Sequence, residues 1–131
     1  MDAPAQPIPL TTQFEAASSC SFFRMRELLG PFGFQWHPKK SSRLFADYRH
    51  WFTFTPAQLL AYLRDRPDVC EQLQFDSENA RCYDAPFFSL RDGGYVSGWV
   101  HKDRVEYRKS FDSLEAAAAD YVLTRFGMTH E

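Results

Sequence analysis

The stretch Phe87-Phe88-Ser89-Leu90-Arg91-Asp92-Gly93-Gly94-Tyr95-Val96-Ser97-Gly98-Trp99-Val100 decides how this chain is read. Two β-prone runs, 87–91 and 95–100, flank Asp-Gly-Gly, a strong turn signal. With a three-residue loop, Gly94 takes the left-handed position, where the missing Cβ removes the steric cost. That register sets Leu90 opposite Val96 and Phe88 opposite Gly98, giving an apolar face on which a ring covers a glycine. The opposite face carries Phe87, Ser89, Arg91, Tyr95, Ser97 and Trp99. A two-residue loop slips the register by one and mixes the faces, so the three-residue loop is favoured.

Outward from the hairpin, residues 104–108 alternate polar and apolar and predict a third strand, joined by a short turn around Lys102-Asp103. Val105 and Tyr107 then fall on the face of Val96 and Val100, toward the core. Arg104 and Arg108 join Arg91, Tyr95 and Trp99 on the other side, which makes an antiparallel sheet with one mixed face. Next comes a helix: Asp112 reads as its N-cap, Glu115 completes a capping box and Phe111 sits at the staple position. Leu114, Ala117, Ala118, Tyr121, Val122 and Phe126 follow helical spacing, and Gly127 supplies the stop.

Upstream, Thr12 with Glu15 predicts a helix over 12–29, burying Phe14, Ala17, Phe22, Met25 and Leu29 and ended by Gly30-Pro31. Residues 30–42 read as a loop, and the aromatic-rich segment 44–54 as a strand or two extended pieces. Thr55-Pro56-Ala57-Gln58 is a second capping box with Pro at the first helical position; that helix stops before Pro67. Residues 69–75 and 80–83 form a further hairpin around Asp76-Ser77-Glu78-Asn79 in this reading. The expected fold is α+β: an antiparallel sheet of about four to six strands and two to three helices, the last packed on the sheet. Residues 1–11, rich in Pro, read as a flexible tail ahead of a single domain, 12–131.

At 131 residues the chain can bury a sizeable core, and its 13 Phe, 6 Tyr and 3 Trp argue against disorder. A formal charge of −2 lacks the footprint of a general nucleic-acid binder, and no apolar run nears the roughly 18 residues of a membrane span. The amino terminus has neither a basic region nor a continuous apolar one, and Cys20, Cys70 and Cys82 show no paired spacing. Both features fit a reduced, cytoplasmic protein.

Chemistry is sparse. His37, His50, His101 and His130 are scattered with no CxxC or HExxH, so no metal and no cofactor are expected. Cys20 reads as a buried helix cysteine, since nothing in the sequence brings a base beside it. Two surface features remain. Residues 65–84 carry six acids (Asp65, Asp68, Glu71, Asp76, Glu78, Asp84) against Arg66 and Arg81, and residues 24–49 carry six bases against Glu27 and Asp47. The acidic stretch is either a steering surface for a basic partner or an ordinary solvated face. The second is the mixed sheet face of Arg91, Tyr95, Trp99, Arg104 and Arg108, residue types enriched at binding hot spots unless a helix covers them.

Phe111-Asp112-Ser113-Leu114-Glu115-Ala116 running on to Ala119-Asp120-Tyr121-Val122, after a meander ending Tyr107-Arg108, resembles small bacterial immunity proteins. These neutralise a cognate toxin carried by polymorphic or contact-dependent toxin systems, and Leu73-Gln74-Phe75-Asp76-Ser77-Glu78 is similar in character. The resemblance covers about residues 70–127 and implies a cytoplasmic, non-enzymatic binder of a toxin protein. An acidic inhibitor surface would suit a basic nuclease-type domain. Partner-binding candidates are thus Asp76, Glu78, Arg91, Tyr95, Trp99, Arg104 and Arg108. One alternative is a small enzyme or ligand-binding domain with an aromatic pocket around Trp36, Tyr48, His50 and Trp51. Another is a nucleic-acid module using Lys39, Lys40, Arg43 and Arg49.

Overall fold

The computed structural model describes residues 7–19, 22–34, 50–79, 85–101, 104–126 and 128. Within them the chain is α+β, with helices α1 (Leu10–Ala17), α2 (Phe22–Leu29), α3 (Pro56–Arg64), α4 (Pro67–Asn79) and α5 (Leu114–Arg125). Three strands, β1 (Ala85–Arg91), β2 (Gly94–His101) and β3 (Arg104–Phe111), form one antiparallel sheet in the order β1-β2-β3. The described residues therefore hold fewer strands and more helices than expected from sequence. Two local readings account for most of the difference.

The first is the hairpin expected from 69–75 and 80–83: its first strand and its turn over 76–79 are found within α4, and 80–83 lie outside the described residues. Cys70, Leu73 and Ser77 recur at helical spacing and are all buried, while Pro67 opens the helix where its missing N–H costs nothing. The second is the single helix expected over 12–29. Ser18 ends α1 by donating from Oγ to the Phe14 carbonyl at 2.6 Å, a bond that competes with helix continuation. The chain resumes as α2 at Phe22, and a 3-10 turn over Gly30–Phe32 closes it with Gly33 at φ 98°. Likewise α1 starts at Leu10 rather than at a Thr12 cap, and Ile8 before it is already buried.

In the segment expected as a strand, residues 52–55 carry no regular structure, and 35–49 lie outside the described residues. Trp51, Phe52 and Phe54 are nonetheless core residues. Gln13 holds this irregular segment in place. Its Nε2 donates to the Ile8 carbonyl and to Thr53 Oγ1, both at 2.9 Å, and its Oε1 accepts from the Thr53 amide at 2.7 Å.

α3 and α5 follow the sequence reading closely. Thr55 and Gln58 form the expected capping box, each side chain bonding the other's backbone amide. α5 is capped by Ser113, whose Oγ accepts from the Ala116 amide, one residue later than the Asp112 cap expected. Ala117, Ala118, Tyr121, Val122 and Phe126 are buried as expected. Phe126 meets Phe52 edge-on at 4.7 Å, and Tyr121 lies 5.4 Å from Phe88 of β1. Each fully buried Leu or Phe of this core contributes about 1.5–3 kcal/mol of transfer free energy.

The hairpin differs from expectation in one decisive respect. Its loop is two residues, Asp92-Gly93, both with positive φ (51° and 81°), which is the geometry of a type I′ turn. Gly94 is the first residue of β2 and pairs with Arg91, so Leu90 faces Tyr95 and Phe88 faces Ser97. The register is the one the three-residue reading rejected. Every side chain of β1 therefore changes face relative to β2.

Candidate functional site

Residues paired across strands share a face, so the register sorts the sheet into two sides. Phe88, Ser97 and Lys109 lie toward α5: Phe88 packs on Tyr121, and Lys109 Nζ is 3.7 Å from Asp120 of α5. Phe87, Gly98 and Tyr107 line up on the outer side, away from that helix. Gly98 is indeed covered by an aromatic ring, but the ring is Phe87. A Cβ built on Gly98 would sit 2.8 Å from Phe87 Cε1 and 2.2 Å from the Glu106 carbonyl oxygen.

The outer face is apolar and open. Leu90, 59% exposed at the end of β1, pairs with Tyr95 and belongs to the opposite face, whereas Val105 and Tyr107, expected in the core, are 43% and 52% exposed here. Val105 and Tyr107 border a groove of about 290 Å³ whose floor is Phe87 and Val100, both buried. Phe87 and Tyr107 meet edge-on at 5.9 Å, so the floor and one wall are a rigid aromatic pair. The Arg91 guanidinium lies 4.7 Å from the Tyr107 ring centre and donates from Nη1 to the Tyr107 hydroxyl. Glu78, from the last turn of α4, contributes a carboxylate to the same groove and accepts from Gln74 Nε2 at 3.3 Å.

The sequence-derived candidates accordingly divide into three places. Arg91 and Glu78 come together at this groove. Tyr95, Trp99 and Arg108 belong to the other side of the sheet. Tyr95 is half-buried against the core, and the Arg108 guanidinium covers the Trp99 ring at 5.0 Å while pairing with Glu106 at 3.5 Å. Arg104, exposed, pairs through its backbone with His101 at the start of β3. The single mixed face of five residues is thus corrected: the one-residue register shift carries Arg91 away from Tyr95 and Trp99.

Asp76 points elsewhere again. Its Oδ2 is 3.7 Å from Nη1 of Arg125, a side chain only 6% exposed that also donates from Nη2 to the carbonyls of Ala17 and Ser19, each at 3.0 Å. Burial pushes the Asp76 carboxyl above its ordinary value, and the Arg125 charge pulls it back in part. Arg125 thereby ties α5 to the end of α1 and to α4. A charged residue in that role carries no sequence signal, because its position in the helix is next to the apolar Phe126.

Of the alternative aromatic pocket, Trp36 and Tyr48 lie outside the described residues. Trp51 is 1% exposed and packs edge-on against Phe34 at 5.2 Å, while the neighbouring His50 is exposed. Lys39, Lys40, Arg43 and Arg49 also lie outside the described residues, as do Cys20 and Cys82. Cys70 is buried in the core with Sγ 3.5 Å from the Leu63 carbonyl; burial, then Glu115 and Asp68, push its thiol up to about 11. Such a thiol is a poor nucleophile near neutral pH. Among the described residues there is no group of three or more His, Cys, Asp or Glu placed to hold a metal ion, and no helix is long and apolar enough to cross a membrane.

What the groove offers chemically is an apolar floor, an aromatic wall and one charge of each sign at its rim. That set recognises a protruding apolar side chain flanked by polar groups, as interface pockets do. Compared with protein-family models, curated proteins and solved structures, the chain matches none.

Proposed function

We propose that this chain is a protein-binding domain of the immunity type, which neutralises a toxin protein by engaging it through the groove on the outer face of the sheet. The observation that carries this reading is the exposure of Val105 and Tyr107 together beside a buried Phe87–Val100 floor, with Arg91 at the same groove. Exposed apolar side chains gathered on a rigid sheet are an interaction surface by composition. Arg91, whose guanidinium lies over Tyr107, adds two of the residue types enriched at binding hot spots. The resemblance of residues 70–127 to immunity proteins supports a toxin as the partner. The free, buried thiol of Cys70 accords with action in the cytoplasm.

The test is titration calorimetry of the purified chain against the catalytic domain of the toxin encoded beside it, together with growth rescue on co-expression. Tyr107→Ala and Arg91→Ala should each weaken binding by about tenfold or more, because truncating a hot-spot residue costs about 2 kcal/mol or more. Their melting temperatures should stay near wild type, since both side chains are exposed. Wild-type affinity in both variants, or no binding by the unaltered chain, would overturn the assignment.

A further inference from the structure

We infer that the chain also pairs with a second copy of itself, α2 of one protomer lying against α4 of the other about a two-fold axis. Two exposed helical stripes carry the inference. On α4, Asp68, Glu71 and Phe75 recur at three- and four-residue spacing and are all exposed, Phe75 by 62%. On α2, Phe23 is 78% exposed, the Arg26 guanidinium lies 5.6 Å from its ring centre, and Arg24 pairs with Glu27 at 3.0 Å. One stripe is acidic and the other predominantly basic, and each has an uncovered phenylalanine. An acidic and a basic surface on one polypeptide are complementary between copies, which is the arrangement that guides association and fixes its register.

α2 and α4 border one cleft. Arg24 of α2 and Gln72 of α4 line the same cleft of about 300 Å³, with Tyr62 of α3 between their helices in the sequence. A two-fold rotation that seats α2 on the partner's α4 seats α4 on the partner's α2 as well. That is an isologous contact, satisfied twice in one dimer. It uses none of the residues lining the sheet groove, so toxin binding and self-pairing stand or fall separately.

Sedimentation velocity and light scattering of the full chain test it directly. At low salt the chain should sediment with twice the 15.3 kDa mass of one protomer, and the dimer should weaken as ionic strength rises through the range where the Debye length falls below about 10 Å. Glu71→Lys and Arg26→Glu should each weaken pairing by about tenfold or more, and mixing the two variants should restore a heterodimer, because both opposed charges are then complementary again. Phe75→Ser should give monomer with unchanged circular dichroism. A wild-type chain that stays monomeric up to roughly millimolar concentration, a dimer indifferent to Phe75→Ser, or reversals that fail to rescue one another would each overturn the proposal.

Discussion

Gly98 shows how a single absent side chain shapes a surface. Its lack of a Cβ lets the Phe87 ring lie flat across β2 and lets β3 come close at the point where its register shifts between Ser97 and Gly98. The bulge there turns Tyr107 outward while Lys109 faces α5. Gly98→Ala would force a methyl group to within 2.2 Å of the Glu106 carbonyl oxygen, a backbone atom that cannot rotate away. The expected cost is about 2–4 kcal/mol, read by urea unfolding, because the strand pair must open to admit the group. Near-wild-type stability would mean that β3 is not held against β2 at that point. Asp92 is the other informative residue. It adopts a positive φ that most residues avoid, and it does so at the first position of a turn that requires it.

At the scale of elements, local signals were legible and long-range ones were not. The Thr55–Gln58 capping box and the apolar spacing of α5 lie within a few residues of sequence, so both helices could be read directly. α4 could not, because one of its buried positions is Ser77, whose hydroxyl accepts from the Phe88 amide at 3.3 Å and donates to the Gln74 carbonyl at 2.9 Å. Polarity at a core-facing position hid the helical stripe. The hairpin register failed for a different reason: three consecutive turn formers allow two loop lengths, and Asp92-Gly93 alone is the stronger signal. The candidate site inherited that slip, which put Val105 and Tyr107 inside and Arg91 on one face with Tyr95 and Trp99. α4 also makes a pH prediction. With its carboxyl pushed up by burial, Asp76 binds a proton more tightly in the folded state than in the unfolded one. Its contribution to stability is therefore present below the unfolded value of 3.8 and lost as pH rises through the higher folded value. Asp76→Asn should remove that loss, so the variant should gain on wild type as pH rises from below 3.8 in urea titrations; a difference that does not change with pH would contradict it.

For the whole molecule, the irregular segment before α3 depends on one side chain from the far end of the chain. Gln13 saturates the Ile8 carbonyl, the Thr53 hydroxyl and the Thr53 amide while 2% exposed itself, and Phe52 and Phe54 flank the Thr53 it holds. Replacing it with Ala leaves buried polar backbone without partners. Gln13→Ala should cost about 2 kcal/mol and speed amide hydrogen exchange at Thr53 specifically. Uniformly faster exchange throughout the core would instead indicate global loosening.

The Ser77 hydroxyl has one more effect, on how the sheet meets its surroundings. By engaging the Phe88 backbone it occupies the middle of the free margin of β1, while β3 ends the sheet on the other side with a bulge and with Arg104, Glu106, Arg108 and Lys109 along its length. Cations and a kink on a border strand discourage the stacking of chain upon chain that leads to fibres. Concentrated solutions should therefore be protected from cross-β growth even though aromatic side chains lie uncovered on the flat of the sheet.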